Sequence, residues 1–122
     1  MEASRDNTEV DSETRRWKVL LMQPPQVTAQ MVRKMSEIAK MKQQDKLLPS
    51  ATLESFAQWP SIQTLHVGPY AWIPETVKFL EKEAKAKGFR LQKWVHEIYL
   101  NDRRRTKPDN LQTIVRCQLL ED

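Results

Sequence analysis

The heptapeptide WVHEIYL (residues 94–100) reads as a strand with one acid inside it. Trp94, Val95, Ile98, Tyr99 and Leu100 are aromatic, β-branched or bulky residues that suit a pleated, half-buried surface. Strand side chains alternate, so Trp94, His96, Ile98 and Leu100 share one face, and Val95, Glu97 and Tyr99 share the other. Ile98 and Leu100 read as the core face, turned toward helices. Glu97 and Tyr99 are thereby expected on the face away from the helices. There an acid beside a tyrosine is either ordinary surface or the floor of a pocket.

Working outward, KWVHEIYLND is followed by the polar turn RRRTKPDN and by a last strand, LQTIVRCQLL, rich in β-branched and apolar residues. Upstream lies a helix that begins at Pro74, a residue suited to the first helical position. Ile73, Val77, Leu80 and Ala84 form its apolar stripe. Glu75 sits near the positive end of its dipole, and Lys85 and Lys87 near the negative end. Gly88 reads as the C′ residue. Before that helix, ATLESFAQWPSIQTLHVGPY predicts two strands broken at Trp59-Pro60-Ser61, since proline cannot donate in a central ladder.

Further back, Val27, Met31, Met35 and Ile38 recur at helical spacing and predict a helix from about 27 to about 43. Thr28 is its expected N-cap, in a capping box left incomplete by Met31, where Glu or Gln would help. WKVLLMQPP reads as a short strand stopped by Pro24 and Pro25. Residues 1–16 are polar and mixed in charge, with Val10 the only sizeable apolar residue. They predict a disordered tail, because they cannot bury enough surface to offset the entropy of ordering. The ordered domain is expected over 17–122. Helices interrupting mainly hairpin-linked strands predict an α+β fold: an antiparallel sheet with helices on one face.

The 122 residues suffice for one compact domain. Hydrophobic residues make up 39% and charged residues 30%, which leaves room for a core and for chain outside it. The formal net charge of +4 specifies no partner by itself. Cys117 is the single cysteine, which excludes an intramolecular disulfide and a cysteine-based zinc site. No stretch reaches the roughly 18 apolar residues that would span a membrane, and the first residues lack an apolar signal core. A soluble, cytoplasmic protein with no membrane contact is the expectation.

HEIYLNDRRRTKPDNLQTIVR resembles the C-terminal signature of the GyrI-like small-molecule-binding domains. LHVGPY followed by PETVKFLEKEAKAKG resembles the strand, turn and helix that precede it, and WKVLLMQPPQVTAQMVRKM the segment joining the two halves of longer members. The resemblance covers about residues 17–119. It implies paired strand-helix-strand-strand modules around a shared cleft for amphipathic or cationic organic molecules. One full module would occupy 52–119. Of the other, only the last strand and the linking helix have counterparts, and Arg103 stands where the family often has proline. Family members include drug-binding effector domains and hydrolases that open the cyclopropane ring of DNA-alkylating natural products. In both, a cleft glutamate lies on the strand matching 94–100, and Glu97 fills that position.

The resemblance also places Tyr70 at the cleft rim, with Trp72 and His66 as further ligand-binding candidates beside Glu97 and Tyr99. Aromatic faces around a carboxylate suit an organic cation. His66 and His96 lie on different strands with no cysteine partner or HxxxH spacing, so no metal site is expected. Arg103, Arg104, Arg105 and Lys107 form a basic run that reads as a solvated loop, without a nucleic-acid-binding motif beside it. No Gly-rich phosphate loop, nucleophile elbow or other cofactor signal is present, and no cofactor is expected. The expected function is binding of a hydrophobic or cationic small molecule. The alternatives are a cyclopropane-opening hydrolase, with Glu97 and Tyr99 catalytic, and a non-catalytic structural half-domain. A single module with an uncovered sheet face predicts a homodimer.

Overall fold

A computed structural model describes residues 2–6, 16–43, 51–57 and 59–121, with backbone alone for 2–6 and Gln43. The chain divides into two compact units, one built from residues up to 21 and from 58 onward, the other from 22 to 57.

The first unit is α+β. Its strands are β1 (Glu2–Asp6), β2 (Trp17–Leu20), β3 (Ser61–Val67), β4 (Phe89–Tyr99) and β5 (Gln112–Glu121). They form one antiparallel sheet in the order β2-β1-β4-β5-β3. Residues 2–6, within the segment expected to be a disordered tail, thus run as a strand between β2 and β4. Their ladder comes from two neighbouring backbones, a source of order that a count of apolar side chains does not register. Of the rest of that segment, Met1 and residues 7–15, Val10 among them, lie outside the described residues, and Arg16 is exposed.

The helix α2 (Ile73–Ala86) packs across β3, β4 and β5. Its buried stripe is Ile73, Val77, Leu80 and Ala84, the residues its periodicity predicts. The first three meet Val95, Val115 and Cys117 in the core, flanked by Ile62, Tyr70 and Leu91. Pro74 occupies the second helical position, and Gly88 follows the C-cap residue Lys87 with φ of 82°, the left-handed conformation that glycine adopts without a Cβ clash.

That core fixes the orientation of the sheet and corrects the expected faces. Val95 is fully buried against α2, and the alternation carries Glu97 and Tyr99 to the same side. Ile98 and Leu100 face away from α2, and Leu100 is 51% exposed. The inference from Ile98 and Leu100 fails because both faces of β4 carry apolar residues, so hydrophobicity alone does not select the covered one. Between Leu91 and Val95 the ladder to β5 shifts register, with Leu91 opposite Leu119 and Val95 opposite Cys117. β4 therefore carries two more residues than β5 there, an even number that leaves Leu91 and Val95 on the same face.

A second difference lies upstream of β3. Residues 51–57, expected to form a strand, have no regular secondary structure and are exposed throughout, so they gain no buried face to hold them in a ladder.

The second unit is built around α1 (Ala29–Gln43). Thr28 is its N-cap: Thr28 Oγ1 accepts the Met31 N–H at 3.2 Å. Met31 Sδ lies 3.4 Å from Thr28 N, in the place a Glu or Gln oxygen takes in a capping box. Lys40 and Lys42 stand in the last turn, where positive charge complements the helix dipole.

Candidate functional site

The helix-facing side of the sheet carries polar residues at one end. Across β3, β5 and β4 the register aligns His66, Thr113 and Tyr99 in one row, and Thr64, Val115 and Glu97 in the next. Apolar Ile62, Cys117 and Val95 follow. Glu97 is 3% exposed and Thr113 0%. Carboxylates are rarely buried to this degree without a function or a partner.

Two aromatic rings stand at this end. Tyr70, in a short 3₁₀ turn (Tyr70–Trp72) ahead of α2, tilts against Tyr99 with ring centroids 5.4 Å apart. Burial pushes the Tyr70 phenol above the ordinary tyrosine value; the charge on Arg103 opposes this, and those on Glu97 and Asp102 reinforce it. Tyr70 therefore holds its proton at neutral pH.

The turn that presents Tyr70 is braced by His66. Its Nε2 lies 3.0 Å from the Pro69 carbonyl and its Nδ1 2.7 Å from Thr76 Oγ1. A carbonyl only accepts, so Nε2 carries a proton and donates it to Pro69, while Nδ1 and the Thr76 hydroxyl share the second hydrogen bond. Both nitrogens of this 6%-exposed side chain are thus engaged by its own chain, tying the Gly68-Pro69 turn to α2. Gly68, with φ of 133°, donates its N–H to Leu111 at 2.9 Å. A Cβ there would lie 3.1 Å from Trp72 Cε3. Trp72 itself is 57% exposed, with an edge against Gly68.

The β4–β5 connection closes the same end. Asn101 Oδ1 accepts the Gln112 N–H at 3.0 Å, and its Nδ2 donates to the Asn110 carbonyl at 3.1 Å. Asp102 caps the next turn: Oδ1 accepts the Arg104 N–H at 2.9 Å and its backbone carbonyl accepts from Arg105 and Thr106. The Arg104 backbone N–H, then its side chain, hold the Asp102 carboxyl below the usual carboxylate range. The basic run is thus an exposed turn organised by Asp102.

Among the expected site residues, Glu97, Tyr99 and Tyr70 come together, and His66 adjoins them as a brace. Thr113 was not legible as a site residue, although a hydroxyl in the buried register of TIVRC was its signal. Arg116, the natural candidate to pair with Glu97, projects from the opposite face of β5, where its Nε donates to Gln63 Oε1 at 2.7 Å. No group of three or more His, Cys, Asp or Glu among the described residues is arranged to hold a metal ion. No helix among them is long and apolar enough to cross a membrane.

No protein-family model matches the chain, and no curated protein does. Solved structures do match. An uncharacterised conserved protein from Listeria innocua aligns with a TM-score of 0.81 at 27% identity, over 98% of this chain and 62% of that one. A hydrolase from Listeria innocua gives 0.80 at 27%, over 98% and 61%. Another hydrolase structure from that organism gives 0.81 at 26%, over 98% and 62%. The chain spans less than two thirds of the length of each of these proteins.

Proposed function

We propose that this protein is a small-molecule-binding domain of the GyrI-like kind, holding bulky amphipathic or cationic organic ligands with Glu97 as the anionic anchor. The observation that carries the reading is the burial of Glu97 at the end of the sheet face where Tyr70 and Tyr99 meet. A carboxylate removed from water attracts a cation more strongly than an exposed one, and aromatic rings add cation–π attraction for the same ligand.

Two of the solved neighbours are named hydrolases, which is compatible with a second reading: hydrolysis by the same groups, with the electrophilic cyclopropane substrate that the GyrI-like resemblance implies. Glu97 then takes a proton from water as the oxygen bonds to a ring carbon. The ring carbon–carbon bond breaks, and the carbon that receives its electrons is protonated by Tyr70 or Tyr99. General acid–base help of this sort contributes about 10²–10⁴-fold.

One experiment separates the two. The protein is titrated with a cationic rhodamine dye, then incubated with a cyclopropane-containing alkylating compound and followed by mass spectrometry. Saturable dye binding with no water-adduct product supports the binding domain. A water adduct formed catalytically, and lost in Glu97→Gln, establishes the hydrolase. Neither binding nor turnover overturns both readings and leaves a structural half-domain.

A further inference from the structure

Thr113 is fully buried, and its hydroxyl makes no hydrogen bond with any described residue. A buried hydroxyl in that condition costs stability that valine, nearly the same shape, would not. Native proteins keep such groups rarely, and a functional role is among the usual reasons.

Its position gives the reason a form. Thr113 lies on β5 directly across from Tyr99 on β4 and from His66 on β3. His66 does not serve it, since both ring nitrogens are engaged by Pro69 and Thr76. Glu97 is its diagonal neighbour on the same face, because Glu97 pairs with Val115, two residues along β5. Diagonal neighbours in an antiparallel pair stand roughly 7–8 Å apart, and less between their side chains. One nitrogen with several N–H groups, reaching acceptors about 2.7–2.9 Å away on two sides, fits between such a pair.

We propose that Thr113 is the second ligand-contacting group of this site: its hydroxyl oxygen accepts one N–H of a primary ammonium ion while Glu97 takes another N–H and the charge. The inference rests on the reading of Glu97 as a cation anchor and narrows the ligand class. A quaternary ammonium carries charge but no N–H. It satisfies Glu97 and the aromatic rings, but leaves the Thr113 hydroxyl unused. The site therefore selects a primary ammonium on a hydrophobic body over its permethylated counterpart.

The test uses dansylcadaverine, a fluorescent primary ammonium, and its N,N,N-trimethyl derivative, titrated into the wild-type chain, Thr113→Val, Thr113→Ser and Glu97→Gln. The wild type binds dansylcadaverine about tenfold or more tightly than the quaternary probe, the worth of one hydrogen bond to a charged group. Thr113→Val loses that preference by weakening the primary ammonium alone, with a melting temperature no lower than the wild type. Thr113→Ser restores the preference. Glu97→Gln weakens both probes. If Thr113→Val keeps the preference, or weakens both probes equally with a lowered melting temperature, Thr113 has no ligand role. If Glu97→Gln is inert, the anchor itself is overturned; if it damages binding while Thr113→Val is inert, only the role of Thr113 falls. A wild type that binds neither probe overturns both.

Discussion

A carboxylate on the helix-facing side of a sheet perturbs whatever ionises near it, and Tyr70 records the effect. Burial is the main reason its phenol sits above the ordinary value, and Glu97 adds to it. Because the folded state holds this proton more tightly than the unfolded chain, the associated stability is complete below the ordinary tyrosine value. It is lost as pH rises through the titration of Tyr70 itself. In a Tyr99→Phe background, where Tyr70 is the sole tyrosine, removing the charge with Glu97→Gln makes the phenolate less costly. The tyrosinate absorbance titration is expected to move to lower pH while staying above the ordinary value, since burial persists. An unmoved titration would mean that Glu97 and Tyr70 do not share a site. Glu97 itself was legible as an acid inside a strand-like run. Its face was not, because Ile98 and Leu100 on one side look as apolar as Val95 on the other.

The β4–β5 connection owes its shape to hydrogen bonds that periodicity does not reveal. Asn101 bridges it by accepting from Gln112 and donating to Asn110. Two bonds worth about 0.5–1.5 kcal/mol each put the cost of Asn101→Ala at roughly 1–3 kcal/mol. Chemical denaturation measures this directly, and a loss below about 0.5 kcal/mol would show that the loop keeps its shape without Asn101. The helices were the elements most readable in advance: α2 by its stripe, Pro74 and Gly88, and α1 by its spacing and the Thr28 cap. β1 was not readable, since its ladder with β2 and β4 is a long-range property of the backbone. The expected strand over 51–57 had suitable composition but remains exposed chain.

At the scale of the whole molecule, the sheet of the first unit is unusual in what it covers. Its α2-facing side buries Glu97, Thr113 and His66, while the other side exposes Leu65, Val67, Leu100 and Trp94. A buried polar row and an exposed apolar face are the two informative departures from ordinary burial, and the second commonly marks an interface. The homodimer expected from the sequence is tested on this face. Sedimentation is expected to show a homodimer at micromolar concentration that Leu65→Lys converts to monomer. A wild-type monomer at the highest concentrations reached would contradict it. An α+β architecture with an antiparallel sheet was legible from the order of elements. The covered side was not, because choosing it required knowing which residues meet α2.

The central claim is that Glu97 meets positive charge on a ligand, and the most direct test compares Glu97→Gln with the wild type against two dyes of one shape, one cationic and one neutral. Each variant's melting temperature serves as a check that it is folded. Removing one partner of a desolvated charge pair costs about 2–5 kcal/mol, so cationic dye affinity is expected to fall roughly thirtyfold to several thousandfold. The neutral dye is expected to change little. Equal losses for both dyes, or none for either, would contradict the claim.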